Sequence, residues 1–216
     1  LPILAKNNIQ PDYVFSLDPQ LNSTEYFIEY PTEKTRLVFT PTVNHNVLKN
    51  FSGKRYVVYK EGHHLSKDSE SAMKEKGTTQ AGGSVACLAL DMLIHFGCDP
   101  IFLTGQDCAF AGKRYYSNHS QFNQKLQDRI ARMMPLEKLH REKAQEKKQL
   151  TVKCTQGNPL LTDQVMYSYL RTLEHIIKAN PGTRIFNLYS HGAEIEQAPV
   201  LGSANELKRR SFISKI

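Results

Sequence analysis

The chain has 216 residues, of which 40% are hydrophobic and 23% are charged. This composition excludes a wholly disordered polypeptide, and the length favours one domain with its own buried core. An excess of 28 Lys and Arg over 21 Asp and Glu gives a formal net charge of +7, which favours anionic ligands without choosing among them. No apolar run reaches the roughly 18 residues of a membrane span, and the N-terminus lacks the features of a signal peptide.

The four cysteines show no CxxC or Cys/His spacing that would suit a zinc site; they are Cys87, Cys98, Cys108 and Cys154. Small core residues in a reducing compartment explain them best, so we predict a cytoplasmic protein without a metal site. The chain begins within a helix-like segment and without Met, and we therefore expect it to be a fragment.

Taken in chain order, the first predicted elements are short. Residues 1–8 predict the end of a helix, and the apolar run 13–17, closed by Asp18-Pro19, predicts a buried strand. Two further strands are predicted at 36–40 and 55–59, with a helical turn over 44–49 between them. The polar stretch 61–79 contains few apolar residues and predicts a surface loop or a mobile flap.

The second half of the pattern is more regular. Apolar residues at helical spacing from Ser84 predict a helix that Gly97 ends, followed by a buried strand over 101–104. The charged region 118–150 predicts surface helices outside the sheet. Thr162-Asp163 caps a helix through 178, and a last strand is predicted over 184–188. Alternating strands and helices with short connections predict an α/β fold with a mostly parallel sheet covered by helices.

A glycine turn, Gly82-Gly83-Ser84, opens directly into the first long helix. Paired glycines let backbone N–H groups approach a ligand oxygen without a Cβ, and a helix N-terminus favours an anion. The turn is equally compatible with a plain helix start in which Ser84 is the N-cap. Residue chemistry alone leaves both interpretations open.

Polar residues also follow the predicted strands, where open parallel sheets bind their ligands. Asp18 ends the first strand, and Asp107 follows the strand at 101–104 after Gly105, which permits an unusual turn. The two carboxylates can converge on a metal, a ribose hydroxyl or an acceptor group, or each can cap the turn that follows it. The same placement puts three later residues in the cleft: Ser190, His191 and Gly192.

The loop after Asp107 is rich in aromatic and cationic residues, namely Phe110, Lys113, Arg114, Tyr115 and Tyr116. These side chains can stack a base or clasp a diphosphate; the alternative is an exposed loop with an aromatic anchor. His119 is a candidate base because histidine titrates near neutral pH, although a lone His is more often a cap or a surface residue.

Four segments together resemble a known family: residues 9–19, 82–110, 157–177 and 184–201. They resemble the bacterial motility-associated factor (Maf) flagellin glycosyltransferases, whose central domain is grouped with the archaeal MptE-like 6-hydroxymethylpterin diphosphokinases. The second segment is the most specific, because its glycine pair, helix, Gly-Cys-Asp-Pro, apolar strand and Gly-Gln-Asp recur as one unit. The family's opening strand and Gly-Pro-Ser-Leu nucleotide loop are expected upstream of Leu1.

The resemblance implies a Rossmann-like fold similar to that of bacterial sialyltransferases, in a single domain over 1–216 with helices on both sheet faces and a helical insertion at 118–150. It implies transfer of a nonulosonic sugar, pseudaminic or legionaminic acid, from a CMP-sugar to flagellin or a surface glycan. The expected partners are therefore the nucleotide-sugar donor and that acceptor, with no nucleic acid, no membrane span and no required metal or cofactor.

The resemblance also implies roles for individual residues. Gly82, Gly83 and Ser84 would meet the donor phosphate or the sugar carboxylate, while Asp107 would lie beside the reacting centre. In the related sialyltransferases a His acts as the base, and both His119 and His191 are candidates here. The implied donor-binding set also includes Asp18, Gly105, Phe110, Tyr115, Tyr116, Ser190 and Gly192, with the two tyrosines steadying the phosphate.

Two other functions remain open. In an ATP-dependent pterin diphosphokinase, Asp18 and Asp107 would hold Mg²⁺ between donor oxygens, so a metal requirement separates this enzyme from the glycosyltransferase. The third possibility is a non-catalytic module of the flagellar system that binds a sugar or a nucleotide.

Overall fold

A computed structural model of the protein describes residues 1–28, 32–62, 67–110, 149–188 and 191–202, with only the backbone described for 67–69, 72 and 76. The chain divides into two compact units, Leu1–Met92 (unit 1) and Leu93–Ile216 (unit 2). Each unit contains a three-stranded parallel sheet with helices between its strands, which confirms the predicted Rossmann-like α/β class. A single domain over 1–216 with an insertion at 118–150 stays a prediction.

Unit 1 carries its parallel sheet in the order β1–β2–β3. Its elements in chain order are α1 (Pro2–Lys6), β1 (Tyr13–Ser16), a 3-10 helix (Leu21–Tyr26), β2 (Arg36–Phe39), α2 (His45–Lys49), β3 (Arg55–Val57), β4 (Tyr59–Lys60), α3 (Lys67–Lys76), β5 (Thr78–Thr79) and α4 (Val85–His95). The predicted strands near 13–17 and 36–40 and the helical turn at 44–49 are thereby confirmed.

The core of unit 1 forms around the central strand β2. Its consecutive residues Leu37 and Val38 point to opposite faces and are both buried, so the sheet is covered on both sides there. Leu37 belongs to an apolar cluster with Val47 of α2 and with Phe27 and Phe51, whose rings meet edge to face at 6.3 Å between centroids. This packing fixes the loops that leave the carboxyl ends of β1 and β2.

The prediction of a surface loop over 61–79 is wrong in its second half. Lys67–Lys76 form α3, and Thr78–Thr79 form β5, which pairs in parallel with β4 in a small second sheet. The segment is made largely of Lys, Glu, Ala, Met and Ser, and the first four favour a helix even where few apolar residues mark a buried face. Low hydrophobicity was therefore a poor guide to the absence of structure.

Unit 2 carries its parallel sheet in the order β10–β9–β6. Its elements are β6 (Ile101–Thr104), β7 (Gln149–Val152), β8 (Leu160–Asp163), α5 (Gln164–Ala179), β9 (Ile185–Leu188) and β10 (Val200–Leu201). The predicted strands at 101–104 and 184–188 are confirmed, as is the helix start, where Asp163 Oδ1 accepts a hydrogen bond from Met166 N at 2.8 Å.

A β-hairpin in unit 2 was not predicted. β7 and β8 pair antiparallel, so Gln149 and Leu150 are in a strand, and the helical prediction for 118–150 is wrong at its end. Residues 118–148 lie outside the described part of the chain. The hairpin was missed because the Lys- and Gln-rich run before it continues into β7, whereas the β-branched Thr151 and Val152 favour a strand.

The cysteines are free thiols, and Cys87 and Cys154 are buried while Cys98 and Cys108 are half-buried. Burial raises the pKa of the Cys87 thiol to about 11, and a hydrogen bond with Ser84 opposes this rise without cancelling it. Cys87 therefore behaves as a small core residue. Within the described residues, no helix has both the length and the apolar character needed to cross a membrane.

A buried carboxyl on α5 makes the stability of unit 2 depend on pH. Glu174 is 7% exposed; its Oε1 accepts a hydrogen bond from Glu196 N at 3.1 Å, and its Oε2 lies 2.6 Å from Arg171 Nη1. Burial raises the pKa of Glu174 above its ordinary value of 4.5, while the Glu196 hydrogen bond and the Arg171 charge oppose that rise. The folded state thus holds this proton more tightly than the unfolded state.

We expect this contribution to the free energy of unfolding to be complete below the unfolded pKa of 4.5 and to be lost as the pH rises through the raised folded pKa. Glu174→Gln keeps an oxygen that accepts from Glu196 N but has no proton to lose. Urea unfolding between about pH 4 and pH 8 should therefore give a flatter pH profile for this variant. The exposed Glu61→Gln serves as the control, and a Glu174→Gln profile identical to that of wild type would contradict the expectation.

Candidate functional site

The carboxyl ends of β1 and β2 border a cavity of about 220 Å³ in unit 1. Its wall comes from the loops after these two strands, from β4, from Met73 of α3 and from the glycine turn before α4. The volume is below the roughly 300–1,000 Å³ of pockets that enclose a drug-sized ligand. The cavity therefore has room for only part of such a ligand.

Two threonines determine the hydrogen bonding of the β2 loop. Thr42 Oγ1 donates to Leu17 O at 3.0 Å, and it lies 2.8 Å from Thr40 Oγ1. Because the Thr42 proton is used for Leu17, the proton between the two hydroxyl groups belongs to Thr40. Both hydroxyl protons are thus committed, and Thr40, which is 3% exposed, keeps an oxygen that can only accept.

Lys60, at the end of β4, is the single charged residue among the described residues that line this cavity. It is half-buried, and the described part of the chain offers its ammonium group neither an ion pair nor a hydrogen bond. None of the described residues in this wall is a carboxylate, so they do not fit Mg²⁺, which prefers carboxylate and phosphate oxygens. Its charge fits an anion instead.

The glycine turn forms the wall of the cavity at Gly83. Gly82 and Gly83 have φ of +56° and +89°, in the left-handed region that favours glycine. Ser84 is the N-cap of α4, since its Oγ accepts from Ala86 N at 3.2 Å. The cap interpretation therefore holds for Ser84, while an anion-binding role for the two glycines stays a prediction.

A buried carboxylate on α4 holds the segment that leads into this turn. Asp91 is 5% exposed, and its Oδ2 accepts from Thr79 Oγ1 at 2.6 Å and from Gln80 N at 3.0 Å. Because α4 carries Asp91 about two helical turns after the glycines, the helix itself fixes where the turn begins. Sequence reasoning missed this residue, since it lies on an otherwise apolar helix face.

Asp18 lies away from the first cavity wall. Its Oδ1 accepts a hydrogen bond from Gln20 N at 2.9 Å, so Asp18 caps the turn that starts the 3-10 helix. This is the turn-capping role that the sequence offered as the alternative to ligand binding. Asp18 instead lines a second cavity of unit 1, of about 390 Å³, whose wall is mostly apolar and includes Val85. Donor or metal binding by Asp18 stays a prediction.

In unit 2, the loops after β6 and β9 meet at Asp107. Gly105 and Cys108 have φ of +69° and +49°, which turn the chain sharply on either side of this residue. Ala193 N donates to Asp107 O at 2.7 Å, and Gly192 packs against the Asp107 backbone so closely that a Cβ would lie 2.3 Å from Asp107 Cα. The loop after β9 thus lies against the Asp107 backbone at Gly192, while the predicted roles of Asp107, His191 and Gly192 stay predictions.

The β7–β8 turn supports this pair of loops. Gln156 Nε2 and His191 Nδ1 form a hydrogen bond, and Thr155 N donates to Gly192 O at 3.3 Å. The ring contact leaves Nε2 of His191 without a partner among the described residues. Gln156 was missed in the sequence, although the Gly-Asn-Pro that follows it is typical of a turn.

Of the remaining predicted site residues, the structure describes only Phe110. Phe110 N donates to Leu161 O at 2.8 Å, which fixes the Phe110 backbone on β8. The other predicted residues lie outside the described part of the chain, and their roles stay predictions: Tyr115, Tyr116, His119 and Ser190. Across the described ranges, no group of three or more His, Cys, Asp or Glu side chains is placed to hold a metal ion.

These features define an α/β protein with polar strand-end loops, and comparison with known proteins gives its family. The model of the family described as "6-hydroxymethylpterin diphosphokinase MptE-like" matches residues 1–113 of the 216, so the chain belongs to the MptE-like family. Among proteins with curated descriptions, none matches this chain.

A solved structure shares the fold. The Maf glycosyltransferase from Magnetospirillum magneticum AMB-1 superposes with a TM-score of 0.61 over 97% of this chain, at 16% sequence identity. The chain spans 30% of the length of that protein. The resemblance to MptE-like domains and to Maf proteins is therefore confirmed at the level of family and fold.

Proposed function

We propose that the chain is a nucleotide-sugar-dependent glycosyltransferase-like domain that transfers a nonulosonic sugar to flagellin or a surface glycan. The observation that carries this proposal is the meeting of the Asp107 and His191 loops at the carboxyl ends of β6 and β9 in unit 2. The fold shared with a Maf glycosyltransferase supports it. With four free thiols, we propose that the protein acts in the cytoplasm.

The chemistry of transfer requires two things that these residues can supply. The acceptor hydroxyl must lose a proton. The exposed imidazole of His191 can take it at Nε2 only when Nδ1 carries the ring hydrogen, which requires the Gln156 amide to turn its oxygen, rather than its Nε2, toward Nδ1. Positive charge develops on the sugar ring as the donor phosphate leaves, and a carboxylate such as Asp107 stabilises that charge. His119 is the other candidate base.

The family description favours a second function, diphosphoryl transfer from ATP to a hydroxymethylpterin. That reaction would use Mg²⁺ between phosphate oxygens and carboxylates. In unit 1, however, the described cavity at the strand ends has no carboxylate in its wall. A non-catalytic accessory module remains the third possibility, because the chain spans 30% of its structural neighbour.

Thermal-shift measurements on the full-length protein separate the three functions. We expect stabilisation by CMP and CMP-nonulosonic sugars without Mg²⁺, since a ligand at about 100 times its Kd stabilises by about 2.7 kcal/mol. Stabilisation by ATP with Mg²⁺ and pterin, but not by CMP-sugars, would favour the diphosphokinase. No response to any nucleotide would contradict both enzymes, while binding of a CMP-sugar without measurable transfer would favour the accessory module.

A further inference from the structure

We propose that the unit 1 cavity is a binding site for a phosphorylated, hydroxyl-bearing small molecule, in which Lys60 holds the phosphate and Thr40 accepts a hydrogen bond from a ligand hydroxyl. This assignment deepens the proposed function and rests on it in part, because Gly83 of the cavity wall is one of the residues implied to meet the donor phosphate. It adds two residues, Lys60 and Thr40, that the sequence patterns did not single out.

The charge of the cavity is the first argument. Lys60 is half-buried, lines the cavity, and has no counter-ion among the residues that the structure describes. The other described lining residues are neutral, and most of the wall is apolar, so water and protein screen the ammonium group poorly there. A bound anion would supply the missing counter-charge.

A phosphate is the anion proposed, and both the cation and the backbone of the wall can hold it. Lysine binds phosphate as a compact point charge, whereas arginine matches carboxylates and phosphates alike with its two-pronged guanidinium. No arginine is among the described residues lining this cavity. Gly83 lies in the same wall with φ of +89°, a backbone position without a Cβ to crowd a phosphate oxygen.

The hydroxyl requirement follows from the two threonines. Thr40 gives its proton to Thr42, which gives its own to Leu17 O at 3.0 Å. Neither hydroxyl can therefore donate to a phosphate, and both would repel one through their lone pairs. Thr40 is 3% exposed and retains accepting capacity, so a ligand hydroxyl is the group that suits it.

Calorimetric titration of the whole chain with ribose 5-phosphate, inorganic pyrophosphate, ribose and malonate tests this assignment. We expect ribose 5-phosphate to bind most tightly, and Lys60→Gln to weaken its binding at least about tenfold, the loss typical of a hydrogen bond to a charged group. Lys34→Gln is the control, since Lys34 is exposed, lies outside the cavity wall and removes the same charge.

The hydroxyl contact has its own variants. Thr40→Val should weaken ribose 5-phosphate but not pyrophosphate, and Thr40→Ser should restore ribose 5-phosphate binding because it keeps the accepting oxygen. If the Lys60→Gln variant does not fold, Lys60→Met is used in its place. Methionine keeps most of the length of the lysine side chain and has no charge. The thermal midpoint of each variant reports whether it is folded.

Three results would overturn the proposal. The first is that the wild-type chain shows no saturable binding of ribose 5-phosphate, and the second is that Lys60→Gln and Lys34→Gln weaken that binding equally. The third is that malonate binds as tightly as ribose 5-phosphate and depends on Lys60 to the same extent. A Thr40→Val variant with unchanged affinity for ribose 5-phosphate would remove the hydroxyl contact. Failure of CMP-sugars to bind would instead count against the proposed transfer. Ribose 5-phosphate lacks the base and the nonulosonic sugar of that donor, so its binding is a separate result.

Discussion

Gly192→Ala is expected to lower the free energy of unfolding by about 3 kcal/mol, the upper part of the range for overpacked sites. The added Cβ would lie 2.3 Å from Asp107 Cα and 2.4 Å from Asp107 O. These are backbone atoms and cannot turn aside as a flexible side chain would. The loops must separate, and the hydrogen bond from Ala193 N to Asp107 O, at 2.7 Å, is lost with them.

Urea unfolding measures this loss, and Gly182→Ala provides a matched control. A Cβ at Gly182 would meet nothing within 4 Å, and its φ lies outside the left-handed region. The control should change the free energy of unfolding by no more than about 0.5 kcal/mol. Equal effects of the two substitutions would show that the contact between Gly192 and Asp107 is not a constraint on the fold.

The elements predicted most accurately are those whose buried faces require a regular pattern of apolar residues in the sequence. The run Ile101–Thr104 is purely apolar apart from its last residue, and it is a strand with the predicted bounds. α4 and α5 show apolar residues at helical spacing, and the glycine turn and Asp163 mark their starts. Local chemistry alone decides such elements, because a buried face requires apolar side chains at a fixed period.

The elements that were missed are α3 and β7. α3 has few apolar residues, and β7 continues a charged run, so neither shows the pattern of a buried face. β7 becomes a strand through its antiparallel pairing with β8, a contact between separate stretches of chain. Tertiary pairing therefore overrides local composition at β7, whereas α3 follows the helix propensity of its own Lys, Glu, Ala and Met residues.

The residues of the candidate site also fall into those that the sequence pattern identified and those that it missed. The rule that ligands bind at strand ends placed Asp107, His191 and Gly192 in one cleft, because that rule depends only on where strands stop. Gly192 does lie against the Asp107 backbone, while the binding roles of the three residues stay predictions. It could not identify Lys60 or Gln156, whose importance lies in what they face in three dimensions. Asp18 satisfied the rule as well, yet it caps a turn, since a carboxylate after a strand fits both roles.

Asp107→Asn is expected to abolish glycosyl transfer while leaving the protein folded. Asp107 is exposed, and its carboxylate has no hydrogen-bond or ion-pair partner in the described part of the chain. The amide has nearly the same shape, so the free energy of unfolding should change by no more than about 0.5 kcal/mol. Without its negative charge, residue 107 can no longer stabilise the sugar cation, and transfer should fall at least about a hundredfold.

The measurement is sugar transfer by the full-length protein from a CMP-nonulosonic sugar to flagellin, with thermal midpoints recorded for each variant. Asp12→Asn removes an exposed carboxylate from unit 1 and should leave transfer unchanged. Undiminished transfer by Asp107→Asn would place the reacting centre elsewhere, even if CMP-sugars bind. Because binding and transfer are scored separately, loss of transfer with retained donor binding assigns Asp107 to the chemical step, whereas loss of both assigns it to holding the donor.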